Sequence, residues 1–335
     1  MKLSLIICTY MRPESLYNLL KTVEQQTKKP DEVLIVDGST NNLTKEMVNK
    51  EQFDVNLKYF KVSDDLRGLT KQRNYGVEKI SKEMEVVAFL DDDIELESNY
   101  FEELNNTYKI NKDAIAVGGV TTNETKWKKA EKEDEDNLGQ FVIDGWSRRS
   151  DIRYRVREKL GLVSNMQPGK VVPYGHERSI GFLPPNGKVY ETDFLMGGIS
   201  SYKNIVFETL SFSHFFDGYG LYEDKDFSLR VRKYGKIYIN TNARVEHHHD
   251  PLGRPNYVRY GTMVVWNGWR VWRVATPDPE VKDKIKWWVI TILLTYIRFT
   301  NVIVGPKRKV ALEDFVGRHV GMVKLLFSRP DMSDL

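Results

Sequence analysis

The sequence predicts an α/β fold: a mostly parallel sheet flanked by helices, with a helical C-terminal appendage. Two observations lead there. Short apolar runs alternate with stretches of helical period through the first third of the chain, and the polar residues Thr9, Asp37 and Asp91–Asp93 each follow such a run. Alternating strands and helices build a parallel sheet covered on both faces, and an open sheet of that kind binds ligands beyond the C-terminal ends of its strands.

Residues 3–8 are apolar and rich in β-branched side chains, which predicts a buried first strand. Pro13 suits the first turn of a helix, and Leu16, Leu19, Leu20 and Val23 recur at helical spacing. A second strand over 33–36 is closed by Asp37 and the turn formers Gly38, Ser39, Thr40, Asn41 and Asn42. A short helix from Leu43, a strand over 57–62, a helix over 70–80 and a strand over 86–90 follow. A helix over 99–110 then leads into an apolar run at 114–120. The charged, aperiodic stretch 123–157 reads as a solvated loop or surface helix, with a mobile lid or acceptor loop as the alternative. Residues 168–188, rich in Pro and Gly, read as loop.

Composition narrows the class. Hydrophobic residues make up 41% and charged residues 29% of the 335, which supports a large buried core and opposes disorder. Lys and Arg number 50 against 47 acids, and a balance of +3 gives no argument for a nucleic-acid partner. Cys8 is the only cysteine, which excludes an intramolecular disulfide and suits a reducing compartment. The first apolar run is shorter than a signal-sequence core and leads into Arg12 and Pro13, so a cytoplasmic catalytic part is expected.

Three clusters carry chemistry. In extended chain Asp91 and Asp93 face one side and Asp92 the other. Two like charges on one side are costly unless a cation or ligand hydroxyls compensate them. Mg²⁺ bridging a substrate diphosphate takes one or two protein carboxylates, and Mn²⁺ also accepts imidazole. An acidic turn capping the next helix is the alternative. Glu223, Asp224 and Asp226 open a segment with Phe227, Val231 and Tyr234 at helical spacing, where a carboxylate is kept ionised by the terminal N–H groups. Asp226 is the expected cap, and Gly218 and Gly220 upstream permit close backbone approach or movement. His247, His248 and His249 follow a strand over 236–239 and a short segment ending in Val245, and alternation would put His247 and His249 on one side.

The ordered set resembles glycosyltransferase family 2. It comprises Ser4 through Tyr10 with Arg12, then Val36, Asp37, Gly38 and Ser39, then Gly68, Leu69, Arg73 and Asn74. Phe89 through Asp93 follow as a DxD element, then Gly197 through Lys203, Gly218-Tyr219-Gly220, Glu223 through Asp226, and the histidines after Ala243-Arg244-Val245. The resemblance covers roughly 1–250. It implies a GT-A-like catalytic domain there, divided into a nucleotide-binding half at 1–120 and an acceptor-side half at 121–250, with a helical region at 251–335. It further implies that Thr9, Arg12 and Asp37 line the nucleotide pocket, with Asp37 at the base. Arg73 would reach the nucleoside or diphosphate, Asp91 would face the nucleoside, and Gly198 and Glu223 would join the substrate site. Asp224 would be the general base. The metal, Mn²⁺ or Mg²⁺, would be held by Asp93 and by His247, with His249 as second choice; Asp92 has no role in this scheme. The implied reaction is an inverting single displacement from a nucleotide-sugar donor to a hydroxyl of a glycan or lipid-linked glycan. A nucleotidyltransferase on a similar sheet would want a Gly-rich basic loop after the first strand, where Thr9-Tyr10-Met11-Arg12-Pro13 stands. A dinucleotide oxidoreductase would want GxGxxG there. The presence of Asp93, Asp224 and His247 together opposes an inactive glycan-binding scaffold.

Residues 285–305 are apolar but interrupted by Lys286, Arg298 and Asn301, and the unbroken run over 287–297 is well short of the ~20 residues of a spanning helix. Lys284, Thr291, Thr295, Arg298 and Asn301 form a narrow polar stripe on a helical wheel. Trp266, Trp269, Trp272, Trp287 and Trp288 flank or enter the segment, and Lys307, Arg308 and Lys309 follow it. Aromatic and basic residues beside an apolar helix suit a membrane surface at the inner face, the alternatives being packing on the domain, a dimer, or a spanning segment.

Overall fold

The computed structural model describes residues 1–135, 137–249 and 256–334. The chain divides into two compact units, Met1–Lys126 with Ile180–Gly253, and Trp127–Ser179 with Arg254–Leu335. The boundary expected between 250 and 251 lies outside the described residues, as does Asp136 in the acidic run. The division also differs from a single cut, because Trp127–Ser179 belongs with the C-terminal helices.

The first unit begins with β1 (Leu3–Thr9), α1 (Pro13–Glu24), β2 (Glu32–Asp37), α2 (Leu43–Lys50), β3 (Leu57–Lys61) and α3 (Leu69–Lys79). β4 (Val86–Asp91), β5 (Ile94–Leu96), α4 (Tyr100–Ile110) and β6 (Ala114–Thr121) follow. The expected elements are present, and Leu16, Leu19, Leu20 and Val23 of α1 are all fully buried. In the second unit, 127–149 folds as β7 (Trp127–Lys129), the short α5 (Lys132–Glu135), β8 (Gln140–Ile143) and β9 (Trp146–Arg149). These strands pair antiparallel in the order β7-β9-β8, where the sequence suggested loop or surface helix. α6 (Ile152–Lys159) closes that segment.

The chain returns to the first unit with β10 (Val189–Thr192), β11 (Ile199–Lys203), α7 (Glu223–Val231) and β12 (Lys236–His247). Among the described residues the sheet has nine strands, in the order β10-β12-β6-β11-β4-β1-β2-β3, with β5 paired to β12. β4, β1, β2 and β3 are parallel, whereas β11 lies antiparallel between β4 and β6. β11 is hidden in the sequence because its centre is polar. Ser200 and Ser201 are buried, and their hydroxyls donate to the carbonyls of Gly197 and Val117.

The second unit ends in α8 (Tyr257–Ala275), α9 (Val281–Val304) and α10 (Arg308–Phe327). α8 and α10 approach closely through glycines. A Cβ on Gly317 would lie 2.0 Å from the Val258 carbonyl oxygen, and one on Gly261 would lie 2.2 Å from that of Asp314. Trp272 and Trp287 are buried and stacked with ring centres 5.3 Å apart, so these aromatics face the interior of the unit rather than a membrane surface.

Candidate active site

Parallel pairing aligns the ends of β1, β2 and β4, with Thr9 opposite Asp37 and Cys8 opposite Asp91. Gln72 of α3 secures that edge, its amide donating to the carbonyls of Thr9 at 3.2 Å and Val36 at 2.8 Å. Asp37 is fully buried; it accepts from the Ser39 N–H at 2.7 Å and the Tyr59 hydroxyl at 2.6 Å.

Asp92 acquires a role that the sequence withheld. The Thr9 hydroxyl donates to it at 2.6 Å, and Arg12 at 2.9 Å. Arg12 also lies 3.6 Å from Asp93. Burial pushes the Asp92 carboxyl up to about 6, against the pull of Arg12 and Thr9. β4 ends at Asp91, and Asp92 lies in the turn before β5, where its carboxylate meets Thr9 and Arg12.

Gly197 and Gly198 join two acidic groups. The Gly197 N–H donates to Asp224 Oδ2 at 2.9 Å, and a Cβ on Gly198 would lie 2.4 Å from Asp91 Oδ2. The other Asp224 oxygen accepts from the Lys225 N–H at 2.7 Å. Burial raises the Asp224 carboxyl, partly offset by these two N–H groups. Glu223 is buried and accepts from Arg73 at 2.6 Å, while its Oε2 has no hydrogen-bond partner among the described residues. Burial raises the Glu223 carboxyl, and the charge of Arg73 opposes that rise. Tyr222, at φ 71°, precedes α7 in the left-handed region, a strained conformation for a bulky side chain at the turn that delivers Glu223 and Asp224. Asp226 is not the cap: it is buried in an ion pair with Arg230 at 2.9 Å.

β12 runs on to His247, and Nε2 of that residue lies 3.2 Å from Asp93 Oδ1. Asp91, Asp93 and His247 offer ligand atoms within 4.8 Å of one another. Two carboxylates and an imidazole suit Mn²⁺, and the carboxylates alone suit Mg²⁺. Burial would lower the His247 pKa, but hydrogen bonds to Asp93 and Glu124 outweigh it and hold the ring up at about 10. His249 falls in a second group: Glu124, His247 and His249 also offer ligand atoms within 4.8 Å of one another, with His249 Nε2 2.9 Å from Glu124. The His248 N–H donates to the Asp93 carbonyl at 2.9 Å. Glu124 and Gln72 were not found from sequence, since neither sits in a motif.

Residues 4–171 match the glycosyl transferase family 2. The chain belongs to that family. A family relative, the glucosyl-dolichyl phosphate glucuronosyltransferase of Haloferax volcanii, is 36% identical over 123 residues, covering 36% of this chain and 38% of that protein. The GalNAc(5)-diNAcBac-PP-undecaprenol beta-1,3-glucosyltransferase of Campylobacter jejuni is 34% identical over 96 residues, 28% of this chain and 30% of that one. The crystal structure of GalNAc-T7 with UDP, GalNAc and Mn²⁺ superposes at a TM-score of 0.51 with 16% identity, over 79% of this chain and 48% of the other. The chain therefore spans less than half the length of each of these proteins, and the last shares its GT-A-like fold.

Proposed function

We propose that this family member is an inverting, metal-dependent glycosyltransferase. It moves a sugar from a nucleotide-sugar donor to a hydroxyl of a glycan or lipid-linked glycan. The observation that carries the proposal is the meeting of Asp224 and Asp91 on the adjacent residues Gly197 and Gly198. It sets a basic carboxylate beside the candidate metal carboxylates. Thr9, Arg12 and Asp37 line the nucleotide pocket, with Arg12 oriented by Asp92. Asp91, Asp93 and His247 would hold the divalent ion, which when bound offsets the charge developing on the leaving diphosphate. Asp224 takes the acceptor hydroxyl's proton, its two N–H bonds fixing the carboxylate's direction. Arg73, 2% exposed and paired with Glu223, acts through Asp91 and Glu223 rather than on the diphosphate directly.

The dolichyl phosphate and PP-undecaprenol in the two relatives' names support a lipid-linked acceptor. Radiolabelled nucleotide-sugars supplied with Mn²⁺ and lipid-linked glycans test the reading. Transfer with inversion is expected. Nucleotidyl transfer from a nucleoside triphosphate, with release of diphosphate, would favour the rival enzyme class.

A membrane surface at the cytoplasmic face is proposed as a partner of the helical unit, and α9 supports it by being built inside out. α9 is long and apolar enough to cross a membrane by length and composition. The middle of its polar stripe is turned inward: Thr291 and Thr295 are buried, and Arg298 donates to the buried Asp314 of α10 at 2.7 Å, while Lys284 and Asn301 at its ends are exposed. Its exposed face carries Ile285, Val289, Ile292 and Tyr296, and α10 exposes Leu312, Val316, Val320, Val323 and Phe327 at helical spacing. Close packing through Gly261, Gly317 and Gly321 is the way helices associate in lipid. Exposed Lys307, Arg308, Lys309 and Lys324 suit anionic headgroups, so an interfacial position is preferred to a dimer.

A further inference from the structure

We infer that Glu124 is a positioning residue for the metal site, holding His247 in the one orientation that presents Nε2 to the cation. The inference rests on the metal-dependent reading above and adds a residue to it. Glu124 lies just beyond β6, and its Oε1 is 3.1 Å from His247 Nδ1. The opposite ring nitrogen, Nε2, is 3.2 Å from Asp93 Oδ1. The imidazole therefore spans two carboxylates, one on the candidate metal side and one on the far side. A neutral histidine has one N–H and one lone pair, and whichever nitrogen donates decides which can ligate. With Nδ1–H donated to Glu124, the lone pair is at Nε2, beside Asp93.

The support for Glu124 is itself built. The Thr121 hydroxyl donates to its Oε2 at 3.2 Å, and His249 Nε2 lies 2.9 Å from its Oε1. The His249 ring also covers that of His247, with centres 3.9 Å apart. Asn123 clamps the backbone of His247 from both sides, accepting its N–H at 3.0 Å and donating to its carbonyl at 3.1 Å. Residues 121–124 and 247–249 thus form one brace around a single ring. In this reading His249 serves the brace, whereas Asp91 and Asp93 complete the ligand set with His247. Carboxylates placed behind a ligating histidine raise its basicity and fix its tautomer, and their loss typically costs ~10–100-fold in metal affinity.

Mn²⁺ titration of the full chain, followed by the electron paramagnetic resonance of the free ion, tests this, with Asp93→Ala and His247→Ala for comparison. Glu124→Ala should weaken Mn²⁺ binding about 10–100-fold with unchanged thermal unfolding. Glu124→Gln, whose amide oxygen still accepts the Nδ1–H, should recover most of the loss. Ring ¹⁵N spectra of the Mg²⁺ form should show His247 protonated at Nδ1 in the wild type and should lose that signature in Glu124→Ala. Equal Mn²⁺ affinity in wild type and Glu124→Ala overturns the positioning role alone. Loss as complete as that of Asp93→Ala, or no recovery in Glu124→Gln, overturns it in favour of direct ligation. A wild-type chain that takes up no Mn²⁺ overturns the metal reading and this inference together.

Discussion

The guanidinium of Arg73 donates to Glu223 at 2.6 Å, closing a buried ion pair between residues 150 positions apart. Phe89 and Phe212 lie beside it with ring centres at 5.5 and 5.3 Å, and Asp91 lies at 3.5 Å. The pair therefore fixes α3, the end of β4 and the start of α7 relative to one another. Arg73→Gln should leave Glu223 buried without a counter-charge and cost about 3–5 kcal/mol in urea unfolding. Arg73→Lys should recover only part, lacking the planar fork. A cost below about 1 kcal/mol for Arg73→Gln would show that the pair is not what joins these elements.

Removal of the metal or its carboxylate is expected to stop transfer. Asp93→Ala should lose transfer and metal-dependent nucleotide binding together, since Asp93 contacts His247 directly. Calorimetric titration with nucleotide, with and without Mn²⁺, measures the second effect. Undiminished activity of metal-free protein in chelator would sink the assignment.

Asp224→Asn should lower kcat by ~10²-fold or more while leaving donor affinity in place. The amide keeps one oxygen for one of the two N–H groups that Asp224 now satisfies, so a stability cost of about 1 kcal/mol is also expected. A loss of only a few-fold would transfer the role to Glu223, whose Oε2 is buried nearby with no hydrogen-bond partner among the described residues.

Away from the site, Glu32 accepts from Lys58 at 2.6 Å and from the Ser81 hydroxyl at 2.7 Å. Burial raises its pKa, but these bonds outweigh it and the net position is below the ordinary 4.5. A carboxylate depressed in the folded state stabilises above its unfolded pKa and loses that contribution as pH falls through the folded value. The wild type should therefore exceed Glu32→Gln in stability at pH 7, and the gap should shrink below about pH 4.5. Urea midpoints at pH 7, 5 and 3 measure it; a constant gap would defeat the argument.

The full chain should float with anionic vesicles and be released by salt. Val316→Asp with Val320→Asp, both at exposed positions of α10, should reduce flotation without changing thermal unfolding. Unchanged flotation of the double variant, or a wild-type dimer that never binds vesicles, would move the apolar face to another partner.

Legibility in the sequence followed the number of roles a segment plays. β1 is an almost unbroken apolar run and α1 has a single apolar stripe, so their residues announce them. β11 is buried on both faces yet carries two serines, because neighbouring carbonyls satisfy the hydroxyls; its pattern looks like loop. The sheet at 127–149 escaped notice because its strands are only three or four residues long and are set among charged residues. Among the site residues, Asp91 and Asp93 were readable from the acidic triplet after an apolar run, although a turn and not the expected extended chain carries Asp92 and Asp93. Asp92 needed its partners Thr9 and Arg12, brought from the end of β1 and the turn after it. His247 and His249 could not be told apart by parity. What separates them is where β12 ends, and that depends on pairing with β5.

The place of β11 has a consequence for synthesis. It enters the sheet between β4 and β6, strands completed by residue 121, but itself emerges only at 199–203. For about 80 residues of translation, roughly 4–16 s at about 5–20 residues per second, the nascent chain holds two finished strands with an empty lane between them. Open edges of that kind recruit other strands. A fragment ending at 171, where the family match stops, keeps that lane empty permanently and should aggregate. The nascent chain must either hold β6 apart from β4 until β11 arrives or be shielded by a chaperone meanwhile, so the order of translation governs the yield of this fold as much as its final stability does.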